Sequence, residues 1–147
     1  MDLFDYPDKD VWNKRRQWLD EELEKAETGL VYAVSDHSTA LFMDMQIAFC
    51  SGAWISIVIM SVSVIDSHLR ETEAKDTSIG TAKLLKEYYE GEEIDWLRQL
   101  RNKYVHHNLD KPFFEMNDWF NNQEQLEKDA TKAMRMTISA LFQNPGI

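Results

Sequence analysis

A chain of 147 residues with 44% hydrophobic and 29% charged residues has the material for one folded domain and is too apolar for a disordered segment. Its formal net charge of −10 excludes a protein that coats nucleic acid indiscriminately, since that binding needs many lysine and arginine contacts to phosphate. Cys50 is the only cysteine, so no intramolecular disulfide can form, and its apolar setting is that of a packing residue in a reducing, cytoplasmic compartment.

The opening "MDLFDYPDKD" is acidic and lacks the basic start and apolar core of a secretion signal. Residues 8–27 predict an amphipathic helix with Val11, Trp18, Leu19 and Leu23 on its apolar face. Gly29 is the expected stop, and Ser35 or Asp36 the N-cap of the next helix. That second helix is expected from about Ser38 to about Glu73, with a kink at the Ser51–Gly52 pair. Within it, residues 47–65 carry no charge, a length that would suit a membrane span. Asp44 and Asp66 lie close on either side, aromatic belts are missing and neither flank has a lysine or arginine excess. The expectation is the central helix of a bundle rather than a membrane anchor. Gly52 and Ser56, four residues apart, would admit a close neighbouring helix.

Residues 78–92 predict a short helix with Ala82, Leu85, Tyr88 and Tyr89 inward, ended near Gly91. Residues 93–108 predict a further helix, 109–120 a loop packed over the bundle, and 121–143 a last helix. The core stripe of the last helix is Leu126, Ala130, Ala133, Met134, Ile138, Leu141 and Phe142. No alternating pattern long enough for a strand occurs. The expected fold is all-α: an up-and-down helical bundle of about five helices in a single domain, residues 1–147.

The chemistry-bearing stretch is "LRQLRNKYVHHN", residues 97–108. At about 100° per residue, Ile94, Leu97, Leu100, Tyr104 and Val105 form the apolar arc, and Arg101 falls inside it. A guanidinium turned toward a core needs a partner. Asp66, on the apolar stripe of Ile55, Ile59 and Val62, is the expected acid. That pair reads either as a structural ion pair or as a carboxylate holding Arg101 at a cleft. Asn102 and His106 stand one turn apart at the polar edge of the arc, while Arg98 and Lys103 read as solvated charges and His107 as incidental. Histidine suits proton transfer near neutral pH, and arginine matches phosphate with a planar fork of donors. Together they fit cleavage of an RNA strand, with Arg101 stabilising charge on phosphorus. His106, His107 and Asp110 can also be read as metal ligands, but their spacing matches no standard site; no metal or other cofactor is expected.

"RNKYVH", Arg101 to His106, resembles the R-x(4–6)-H motif of the HEPN domain family, in its Arg-Asn form. The resemblance covers roughly residues 36–143: a long apolar helix ending in "VIDSHL", the motif late on a following helix, then a loop and a final long helix. It implies a metal-independent endoribonuclease that uses the RNA's own 2′-hydroxyl. It also implies a homodimer whose two motifs share a cleft, of the kind found in toxin–antitoxin and phage-defence systems with an antitoxin or other partner protein. Arg101 and His106 carry over as catalytic, Asn102 as the polar neighbour in the site and Asp66 as a supporting, orienting acid. One subfamily, paired with nucleotidyltransferase antitoxins, has tyrosine two residues after the motif histidine; here that position is Asn108. Other HEPN domains are non-catalytic binding or scaffold modules, and the net charge of −10 is compatible with that alternative.

Overall fold

The computed structural model describes residues 7–27 and 34–144, so the expected stop at Gly29 lies outside the described residues. Those residues are all-α: seven α-helices, one π-helical turn and no strand. In chain order the helices are α1 (Lys9–Ala26), α2 (Asp36–Ser51), α3 (Trp54–Leu69), α4 (Thr81–Tyr88), α5 (Ile94–Val105), α6 (Met116–Asn121) and α7 (Gln123–Phe142). The π-helical turn, Arg70–Ala74, extends α3. Among the described residues no helix is long and apolar enough to cross a membrane.

The count exceeds the expected five for two local reasons. The single helix expected over 38–73 is broken, not kinked, at Gly52, and the expected loop 109–120 contains α6. Gly52 adopts left-handed φ of 84° as the C-cap of α2, a conformation glycine reaches without steric cost. Its N–H bonds to the Phe49 carbonyl at 3.1 Å, and the Ala53 N–H to the Ala48 carbonyl at 3.0 Å, so the last carbonyls of α2 are satisfied. Arg15 of α1 completes this terminus: Nη1 donates to the Cys50 carbonyl at 3.1 Å, and the guanidinium lies 4.8 Å from the Trp54 ring centroid. The close neighbour of Gly52 is therefore the Arg15 side chain, not a helix backbone, and Ser56 is exposed. At the other end of α2, Ser35 is the N-cap: its Oγ accepts from the Ser38 N–H at 3.0 Å. A hydroxyl chain runs on from Ser38 Oγ to Ser67 Oγ, 3.0 Å away, and ties the start of α2 to the end of α3.

The core is built around α3, whose most extensive contacts are with α7 and α2, followed by α5. Ile57, Val58, Val64, Ile65 and Leu69 of α3 are buried together with Met45 of α2, Leu97 of α5 and Ala130, Ala133 and Met134 of α7. The uncharged run is apolar because neighbours cover α3 on several sides. Burying a side chain of this size contributes about 1.5–3 kcal/mol. The expected stripe of α7 is buried except for the half-buried Phe142. On α1 the register differs by one position: Trp12 packs on the core with Trp18, Leu19 and Leu23, and Val11 is exposed. On α4 Leu84 and Leu85 are the buried pair and Ala82 is exposed. Cys50 is buried, and burial pushes its thiol above the ordinary range, which keeps it protonated and inert.

Candidate functional site

Helix α5 brings most of the motif to one end of the bundle. It is amphipathic: Leu97 is fully buried, Ile94, Leu100 and Tyr104 are half-buried, and Val105, expected in the apolar arc, is 42% exposed. The helix ends at Val105, and His106 is its C-cap in extended backbone, φ −112° and ψ 103°. The His106 N–H closes the last turn on the Asn102 carbonyl at 2.8 Å. Asn102 and His106 are thus joined through the backbone, but the histidine has left the helical edge on which the wheel placed it. Its side chain is exposed, as are His107 and Asn108.

Arg101 is half-buried, and its Nε is shielded from solvent with no hydrogen-bond partner. It forms no ion pair among the described residues. The expected Asp66–Arg101 pair is not formed. Asp66 is held instead by Arg70, one turn along the same helix, with Nε to Oδ1 at 3.0 Å and Nη2 to Oδ2 at 2.9 Å. A helical neighbour four residues away is already within reach, so the carboxylate is satisfied without crossing to another helix. Arg70 is anchored further by donating from Nη1 to the Ile79 carbonyl at 2.6 Å and the Asp76 carbonyl at 3.1 Å. Asp66 therefore gives Arg101 no ion-pair partner. Arg98, expected to be solvated, is half-buried; its Nη2 lies 4.0 Å from Asp95 and its Nε is buried without a partner.

Immediately after α5 the chain folds back as the wall of a cleft of about 640 Å³. Asn108 starts the return: its Oδ1 accepts from the Asp110 N–H at 3.0 Å, an Asx turn, and Pro112 restricts the chain two residues later. The polar lining is Lys103, His106, His107, Asn108 and Lys111. The apolar lining is Ile55, Tyr104, Pro112, Phe113 and Phe114. None of these lining residues is acidic. Arg101 and Asn102 are not among them, so within one copy of the chain the cleft contains only His106 of the three expected catalytic residues. His107, expected to be incidental, and Lys103, expected to be merely solvated, both line it.

The aromatic side of the cleft is rigidly supported. Tyr104 meets Phe113 edge-on with centroids 5.4 Å apart, and Phe114 edge-on at 5.8 Å. Burial, and secondarily the Asp129 carboxylate, pushes the Tyr104 hydroxyl up to about 12, so it stays neutral and serves as packing rather than as an acid or base. The loop ends at Glu115, where a reciprocal capping box with Asp118 starts α6. Tyr104 was expected in the apolar arc, whereas the helical pattern gives Lys111 and Phe113 no role. The available signal was the "KPFF" run, separated by three residues from the histidines, a cation and two aromatics around a proline.

His106, His107 and Asp110 are not gathered into a metal-ligand set; no group of three histidine, cysteine, aspartate or glutamate side chains suited to a metal occurs among the described residues. Chemically, the cleft offers two ammonium groups for an anion, an aromatic surface for a planar group and an exposed imidazole able to move a proton. No protein-family model, curated protein or solved structure matches the chain.

Proposed function

We propose that this protein is a metal-independent endoribonuclease of the HEPN type that acts as a homodimer, with Arg101 and His106 catalytic and Asn102 beside them. In this reading the bundle has the family's up-and-down topology, and the chain serves as a toxin or phage-defence ribonuclease in the cytoplasm, with an antitoxin or other partner protein. One observation carries it: an exposed histidine at the end of α5 opens onto an acid-free cleft with two lysines, five residues after an arginine whose Nε is buried and unpaired. A guanidinium without an acid partner is the group expected where phosphate charge is to be met. Because Arg101 lies off the cleft wall that carries His106, the two would act on one phosphodiester across a two-fold axis, arginine from one copy and histidine from its partner. The exposed apolar side chains Val105 and Leu109, on either side of His106 in the chain, support burial against a second copy. His106 would move the proton of the 2′-hydroxyl or of the leaving oxygen, and Arg101 would stabilise charge at phosphorus.

The separation of Arg101 from the cleft equally favours a second reading, a non-catalytic binding or scaffold module of the same fold. Incubation of purified protein with single-stranded RNA in chelator-containing buffer decides between them. Cleavage lost in both His106→Ala and Arg101→Ala supports the enzyme. Intact RNA with the parent protein, or equal cleavage by all three, ends that reading.

A further inference from the structure

Phe113 and Phe114 are neighbours with opposite surroundings. Phe114 packs against the core, whereas Phe113 keeps 42% of its surface exposed at the cleft. An exposed phenylalanine is ordinary by itself. This one is held in place by the edges of Tyr104 and by the turn through Asn108 and Pro112, so its ring is oriented before any ligand arrives. The Lys103 ammonium lies over the Phe113 ring, 5.2 Å from its centroid, so it covers one face until a base displaces it toward a phosphate, and Lys111 lies two residues before Phe113 on the same wall. Neither lysine forms an ion pair among the described residues, whereas Lys25, Lys83, Lys128 and Lys132 each do. The chain as a whole carries a net charge of −10, yet no acidic residue lines this cleft. Its volume of about 640 Å³ falls within the roughly 300–1,000 Å³ of small-ligand sites, enough for a nucleotide.

We infer that Phe113, Lys103 and Lys111 form a subsite for one unpaired nucleotide, whose base stacks on the Phe113 ring while the two lysines hold the phosphates on either side. The inference deepens the ribonuclease reading and rests on it for the fate of the bound strand. It makes the 106–114 segment the determinant of strand recognition and places a single-stranded position next to His106. Both faces of a base inside a duplex are covered by its neighbours, so the subsite selects unpaired RNA by geometry.

The test is fluorescence-anisotropy binding of a short 2′-O-methyl oligouridylate, which cannot be cleaved, and of an abasic strand of equal length. Phe113→Ala is expected to weaken the oligouridylate roughly tenfold, the scale of one base–aromatic stack, and to leave the abasic strand unchanged. Phe113→Trp is expected to retain binding. Lys103→Gln and Lys111→Gln are expected to weaken both strands. Equal affinity of Phe113→Ala and parent for the oligouridylate, or an equal loss for both strands, overturns the subsite. So does the absence of binding to either strand, or binding of polyglutamate as tight as that of the oligouridylate. Circular dichroism confirms that each variant is folded. The two readings fail separately. Base-dependent binding by a protein that leaves ordinary RNA intact ends the ribonuclease and keeps the subsite; cleavage that depends on His106 but ignores Phe113 ends the subsite alone.

Discussion

Asp66 and Arg70 form a two-pronged ion pair within one turn of helix, Nε to Oδ1 at 3.0 Å and Nη2 to Oδ2 at 2.9 Å. The pair aims the guanidinium at the Asp76 and Ile79 carbonyls, so a carboxylate on α3 fixes the connection that leads into α4. Its role is structural. Asp66→Ala is expected to lower stability by about 1–2 kcal/mol and to leave RNA cleavage per folded molecule unchanged. Thermal melting alongside a cleavage assay checks both halves. Loss of cleavage at an unchanged melting temperature would restore Asp66 to the site.

Arg101 gives the opposite expectation. Its buried Nε has no partner, so the side chain bears a desolvation cost that no ion pair offsets. Arg101→Met keeps the apolar stem and removes the stranded donor. Its melting temperature is expected to hold or rise, while cleavage falls. A clear drop in melting temperature would mean that the guanidinium holds the bundle together.

His106 caps α5 through its backbone, and its side chain is exposed. His106→Ala is therefore expected to melt like the parent while losing about 10²–10⁴-fold in cleavage rate, the span of a lost acid–base group. Single-turnover kinetics in chelator-containing buffer measures this. A loss below about tenfold would rule out proton transfer by His106.

His68 supplies the pH dependence. It is 2% exposed, and its Nδ1 has no hydrogen-bond partner. Burial lowers its affinity for a proton below the ordinary histidine value of 6.5, with Glu71 opposing in part. As pH falls through 6.5 the unfolded chain takes up a proton that the folded chain resists. Stability is then full above that value and declines below it. Glu73, at the end of the same helical segment, is shifted upward by burial and gives the reverse slope just above the ordinary glutamate value of 4.5. The steepest loss is thus expected between these two values. Urea denaturation across that range should show a decline that His68→Leu flattens. A slope identical in both proteins would assign the dependence elsewhere.

Gly52 carries a backbone cost. Its φ of 84° disfavours any side chain, and a Cβ there would sit 3.1 Å from Arg15 Nη1, the group that caps α2. Gly52→Ala is expected to cost about 1–2 kcal/mol. Arg15→Ala in the same background should add less than its effect alone, because the alanine has already disturbed that contact. Full additivity in a denaturation cycle would dissociate the two.

The helices were legible wherever one periodicity ran without interruption. The stripe of α7 from Leu126 to Leu141 is such a case, as is the Ser35 cap, whose hydroxyl serves a local backbone donor. Failures came where a short-range partner outcompeted a long-range one. Arg70 stands four residues after Asp66, within reach along the helix, whereas apolar-face spacing alone pairs the acid with Arg101. The helical wheel also failed at His106, since a wheel assumes that the helix continues and α5 stops one residue earlier. No periodicity encodes the placement of Phe113 and Lys111, because the chain turns back after Asn108.

The left-handed residue between α2 and α3 divides the longest uncharged run of the sequence. Residues 47–65 as one straight helix would form an uncharged rod of about 28 Å, close to the hydrocarbon thickness of a bilayer. Breaking at Gly52 deals that rod out as two shorter pieces, five residues to α2 and twelve to α3. Neither piece alone is long enough to be taken for a span. One residue without a side chain thus keeps the uncharged run from forming a single continuous rod.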